Sequence, residues 1–210
     1  MTRLSAVLVA ALSVSAFAAE VGKEVKDVEL RDGTTDKPAH FPGFGQKVLT
    51  IFYNDADVAD LNDPLADALK AKNLDESKYQ GIGVANLADS KAPNFIIKSV
   101  VRGKIEKYKS VILTDPDRLV AKAWALGDCN NDSVVLVIGK DKKVAHVQRG
   151  AIRGKDIEAI VALVEKLMAE PAPGSAPAPE AAPAPAAAPA PAAAPAPDAA
   201  PAPAAPQPAP

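Results

Sequence analysis

A single cysteine, Cys129, in a chain of 210 residues excludes an internal disulfide framework. It equally excludes a zinc or iron–sulfur site built from several cysteines. Histidine is almost as scarce. His40 and His146 stand far apart, neither has a second ligand at helical spacing, and both read as surface or loop residues. No charge of either sign dominates, because 24 Lys and Arg face 26 Asp and Glu. The chain as a whole therefore carries no strong field towards nucleic acid or an anionic membrane. A Gly-rich phosphate loop, a nucleophile elbow and a general acid–base pair at usable spacing are also missing. Gly43-x-Gly45 lacks the rest of a dinucleotide fingerprint. These absences leave no cofactor and no metal to expect.

Proline is abundant, but unevenly so. Of 20 prolines, 15 lie in residues 171–210, which hold 20 Ala and only Glu180 and Asp198 as charges. Two small residue types offer too little apolar surface to offset ordering entropy, so a disordered, extended, polyproline-like tail is expected there. At the other end, Arg3, the apolar stretch Leu4 to Val14 and Ala16-Phe17-Ala18 have the form of a secretory signal with its cleavage site. The apolar stretch is too short for an anchor. The expected organisation is a signal peptide at 1–18, one domain at 19–170 and a Pro/Ala tail at 171–210. The mature chain would carry no membrane span and would be periplasmic or secreted. The middle segment, about 150 residues, is long enough for one real core.

That segment alternates strand-like and helix-like stretches. Val25 to Leu30 alternates with period two and stops at Arg31-Asp32-Gly33. Lys47 to Tyr53 is a nearly continuous β-branched and aromatic run, as for a strand buried on both faces. Val58, Leu61, Leu65 and Leu69 line one helical face, which Pro64 either kinks or restarts with Asp63 as cap. Gln80 to Leu87 predicts a strand, Pro93 to Arg102 a helix stopped by Gly103, and Val111 to Thr114 a short strand. Leu119 to Leu126 predicts a helical turn or two. Ser133 to Ile138 and Lys143 to Arg149 form a hairpin about Gly139-Lys140-Asp141-Lys142, and Ile157 to Met168 closes the domain with an amphipathic helix. Tyr53 and Trp124 are expected in the core. The order implies an α/β fold, a mixed sheet flanked by helices.

Four segments carry a family likeness: VGKEVKDVELRDG from Val21, KVLTIFY from Lys47, VILTDPDRLVAKAWAL from Val111 and VVLVIGKDKKVAHVQRG from Val134. Together they resemble the thioredoxin-like superfamily, in the branch of peroxiredoxins and exported thiol-disulfide reductases. Within it the chain is most similar to the YtfJ family of periplasmic proteins. The resemblance implies a Cys-x-x-Cys motif after the first buried strand, with a proline five residues beyond. Counting back from Pro64 places that pair at Ala56 and Ala59, so the motif is lost. Alanine supplies no thiolate. Such folds also place a cis-proline before the hairpin, where this chain has Cys129-Asn130-Asn131-Asp132-Ser133.

Two functional readings follow. The first is an exported, non-enzymatic binding or accessory protein of the bacterial envelope. It would hold an envelope protein or peptide at the end where relatives hold peptide, at Asn54, Asp55, Asp57, Asn130 and Asp132. The alternative is a thiol peroxidase or thiol-disulfide oxidoreductase working through Cys129 alone, although Asp128 and Asp132 would raise its pKa. Asp55, Asp57, Asp60 and Asp63 suit a helix N-terminus better than a calcium site. Asp128-x-Asn130-x-Asp132 departs from a calcium loop at Ser133 and Gly139.

Overall fold

The computed structural model describes residues 19–171; the signal-like segment and nearly all of the Pro/Ala tail lie outside it. Strands β1 (Leu30–Asp32), β2 (Pro38–Ala39) and β3 (Val48–Asp55) come first. They are followed by a 3₁₀ turn (Ala56–Val58) and helix α1 (Asp63–Ala71). Then come β4 (Tyr79–Asn86), α2 (Asn94–Tyr108), β5 (Val111–Asp115) and α3 (Leu119–Ala123). Hairpin strands β6 (Ser133–Ile138) and β7 (Val144–Arg149) precede α4 (Lys155–Ala169). They build one mixed sheet in the order β2-β1-β5-β4-β3-β6-β7, with β3, β4 and β5 parallel and the remaining pairings antiparallel.

The register sorts the core into two faces, because successive side chains on a strand point to opposite sides. One row runs Leu136, Ile51, Ile82 and Val111 across β6, β3, β4 and β5. It packs with Tyr53, Val84 and Leu113 against Val120 and Trp124 of the α3 region and against Phe41. The next row runs Val135, Phe52, Gly83 and Ile112 on the other face. There Val135 and Val137 meet Leu65 and Leu69 of α1 and Ile160 and Val164 of α4, while Ile112 meets Ile97 and Val101 of α2. β3 is buried on both faces along most of its length, as its apolar run predicts. Among the described residues, no helix is long and apolar enough to cross a membrane.

Three local expectations are corrected. The alternation from Val25 gives a strand only from Leu30, with Glu24 bridging Lys143 alone. Val25 and Leu30 are both buried in one cluster although five positions apart, so the chain must turn between them. Helix α2 runs through Gly103 and stops at Tyr108, closed by left-handed Lys109, whose N–H donates to the Ile105 carbonyl. Ile97, Val101 and Ile105 continue one sheet-facing stripe past the glycine, and that burial outweighs a cost of about 1 kcal/mol for helical Gly. Pro64 restarts rather than kinks: α1 begins at Asp63, with Asn62 rather than Asp63 in the cap position.

Candidate functional site

The positions that the resemblance assigns to a redox pair lie just beyond β3. Ala56 opens the 3₁₀ turn and Ala59 follows it. The side chains proposed as a partner-binding end do gather here, but most are committed to the protein itself. Asp55 is fully buried. Its carboxylate accepts from the Asp57 N–H at 2.9 Å and the Asn131 N–H at 2.7 Å, which ties the Cys129 loop to the strand end. Asp57 accepts from Ser90 Oγ at 3.1 Å, and Asn54 accepts from Ser133 Oγ. Asp132 is held by Arg149 Nη1 at 2.6 Å. Asn130 remains exposed, its Oδ1 accepting from Asn131 Nδ2. The acids of this junction therefore hold backbone and neighbouring side chains, and Asp63 pairs with Lys104 and Lys107.

Cys129 is 2% exposed. Burial is the main cause pushing its thiol pKa up, opposed by the charge and hydrogen bond of Arg149, with Asp132 and Asp128 adding to the rise. Sequence reasoning named only the two aspartates and missed the guanidinium. Arg149 Nη2 stands 3.9 Å from Sγ. The same side chain straps the loop by donating to the Asp128 carbonyl at 2.6 Å and to the Leu126 carbonyl. The available signal was its place at the end of the second hairpin strand, where it pairs with Val134.

Beside the alanines, the sheet is bare. Gly81 and Gly83 of β4 face the gap between α1 and α2, leaving a cavity of about 340 Å³ walled by Phe52, Leu69, Tyr108 and Ile112. Ala59 lines it, and Ala59 and Ala56 also line a smaller pocket of about 70 Å³ under α2. Burial raises Tyr79 to about 12 and Tyr108 to about 12, so both wall hydroxyls keep their protons. This arrangement offers a slot with an apolar floor and wall, and Asp63, Lys104 and Ser110 among its polar lining.

The other singled-out residues lie elsewhere. Trp124 stacks on Phe41 at 5.2 Å and donates to the Lys26 carbonyl, and Tyr53 donates to buried Asp115 at 3.2 Å. His40 sits 3.1 Å from Asp27. His146 is not a surface residue in full, since its Nε2 is enclosed and has no hydrogen-bond partner among the described residues.

Residues 45–167 match the model of a family described as a bacterial protein of unknown function, YtfJ_HI0045. An "Uncharacterized protein" of Haemophilus influenzae is 30% identical over 108 residues, 50% of this chain and 58% of that one. The "Uncharacterized protein YtfJ" of Escherichia coli is 25% identical over 109 residues, 51% of this chain and 58% of that one. The match thus spans little more than half the length of these relatives. Among solved structures, a thioredoxin-like superfamily protein has a TM-score of 0.55 at 15% identity, covering 71% of this chain and 99% of its own. A peroxiredoxin-like protein from Aquifex aeolicus has a TM-score of 0.50 at 13% identity, covering 71% and 88%. These likenesses establish a thioredoxin-like fold and nothing about chemistry.

Proposed function

The chain belongs to the YtfJ_HI0045 family of bacterial proteins, and from that premise we propose that it is an exported, thioredoxin-fold binding or accessory protein of the envelope without redox turnover. One observation carries this reading. The two positions that would bear a dithiol are Ala56 and Ala59, and they open onto a mainly apolar slot whose lining includes no thiol. Disulfide exchange needs an attacking thiolate and a second thiol to resolve the mixed disulfide. The sole thiol is buried and its pKa raised. Export is supported by Arg3, the apolar stretch to Val14 and Ala16-Phe17-Ala18.

The partner is an envelope protein or peptide that presents an apolar group to the slot. A second reading, a one-cysteine thiol enzyme, draws on Arg149 beside Cys129, a counter-charge that favours a thiolate. Insulin reduction and peroxide consumption with excess dithiol, run on the native protein and on Cys129→Ser, separate the two. Equal background rates support the binding protein. Multiple turnovers that vanish in Cys129→Ser would establish the enzyme instead.

A further inference from the structure

Helix α2 is apolar on two sides. Ile97 and Val101 face the sheet, yet Phe95, Ile96 and Val100 are 73%, 44% and 38% exposed. At 100° per residue, Ile96 and Val100 share an outer stripe, and Ser99 fills the arc between Ile96 and Phe95. Lys98 and Arg102 flank that surface on one side and Lys104 on the other, while Lys107 and Glu106 continue its own angles two to three turns beyond. Residues 91–109 hold six Lys or Arg against one acid, Glu106. The balanced charge of the whole chain conceals this concentration.

Two of the cations are already engaged. Lys104 pairs with Asp60 at 2.9 Å and with Asp63, and Lys107 pairs with Asp67 at 3.3 Å. Lys91, Lys98, Arg102 and Lys109 are exposed and make no ion pair among the described residues. Ile96 and Val100 border the pocket of about 70 Å³ beside Ala56, while Phe95 lies outside it. An apolar centre bounded by unpaired cations has the composition of a helix that lies in the plane of a membrane interface. There the apolar side chains enter between headgroups, while the long Lys and Arg stems reach outward to the anions.

We propose that α2 docks this protein on an anionic lipid surface, with Phe95, Ile96 and Val100 inserted and Lys91, Lys98 and Arg102 on the headgroups. This inference does not depend on what the slot beside Ala59 holds. It leaves the larger cavity usable, because that cavity lies on the α1 side of α2, whereas the smaller pocket, which Ile96 and Val100 line, would be covered.

The test is co-sedimentation of residues 19–210 with vesicles, the first 18 residues being omitted so that Leu4 to Val14 cannot contribute. Vesicles of phosphatidylglycerol and phosphatidylethanolamine are compared with phosphatidylcholine alone. Binding is expected to the anionic vesicles, weakening with salt, and at least roughly tenfold weaker to the neutral ones. Phe95→Ser with Ile96→Ser, and separately Lys98→Glu with Arg102→Glu, should each cut anionic binding by about tenfold or more at an unchanged melting temperature. Lys155→Glu with Lys166→Glu, on exposed positions of α4, should bind as the parent does. Absence of vesicle binding, equal binding to neutral vesicles, or α2 variants that bind like the parent would each overturn the proposal. So would concentration-dependent self-association that only the α2 variants lose, which would make this face an interface between copies.

Discussion

Asn62 and Ser133, 71 positions apart, meet in a buried hydrogen bond of 2.8 Å in which Asn62 Nδ2 donates to Ser133 Oγ. The same amide donates to the Gly150 carbonyl at 3.0 Å and accepts from the Ile152 N–H at 2.8 Å. Ser133 in turn donates to Asn54. Asn62 occupies the cap position of α1 but makes no capping bond. Its side chain instead joins the start of α1 to the start of β6 and to the segment after β7, which fixes the end of the sheet where Ala56 and Ala59 lie.

Asn62→Ala should therefore destabilise the domain by about 2–4 kcal/mol, since it strands a buried carbonyl, hydroxyl and N–H together. Asn62→Asp should be nearly as costly, because a carboxylate can accept from Ile152 but cannot donate to Ser133 or Gly150. Urea unfolding checks this. A loss below about 1 kcal/mol would mean that water replaces the amide without penalty.

This network also shows where sequence reasoning stops. The element order was legible because apolar period and turn residues are local: KVLTIFY, the Asp115-Pro116-Asp117 turn and the hairpin about Gly139 each declare themselves within a few residues. The end of α2 was not legible, since Gly103 signals a stop while the burial of Ile105 is decided by β5 and the sheet beneath. The alanines at 56 and 59, where the resemblance would put a dithiol, are legible in the sequence, but the slot beside them is not. It exists because Gly81 and Gly83 fall on the face between two helices, a fact of register and not of composition. Arg149 beside Cys129 is likewise a product of strand pairing.

Gly81 supplies a second prediction. It sits within a central strand at ordinary extended geometry, and an added Cβ would meet only the Tyr79 hydroxyl, at 3.4 Å. Backbone strain therefore does not require glycine there. Gly81→Ala should raise stability by roughly 0.5–1 kcal/mol, by reducing unfolded-state freedom and filling the slot. The same change should weaken any partner that enters the slot. A fall in stability would show that the floor is tighter than its lining residues imply.

Stability should be greatest near neutral pH and fall on both sides for different reasons. Burial pushes the Asp63 carboxyl up, but the hydrogen bond and charge of Lys104, with Lys107 nearby, more than offset this and leave its pKa below the ordinary value. Its contribution is present above about pH 4 and lost as pH falls through the lowered folded value. Cys129 is raised, so its contribution holds below about pH 8.5 and is lost as pH rises and the unfolded thiol ionises first. Tyr79 and Tyr108, each raised to about 12, extend that decline above about pH 10. Melting temperatures across pH check this. Asp63→Asn should flatten the acid limb and Cys129→Ser the first alkaline step, and unchanged limbs would refute the assignment.

The thiol itself supplies the sharpest contrast, because two influences on it oppose one another at a single residue. Arg149 lowers the Cys129 pKa by charge, yet the same guanidinium straps the loop that buries the sulfur, through the Leu126 and Asp128 carbonyls and Asp132. In the native protein, modification by a disulfide reagent at neutral pH should be at least about a hundredfold slower than in denaturant, since the sulfur reacts only when the loop opens. Arg149→Met removes both influences at once. If acidity controlled reactivity, losing the counter-charge would slow the reaction. Burial is the largest cause of the raised pKa, so loop opening should control it, and Arg149→Met should react several-fold faster than the parent. A slower variant, together with a rate midpoint below pH 7 in the parent, would instead describe a thiolate held ready by Arg149 and would favour the one-cysteine enzyme.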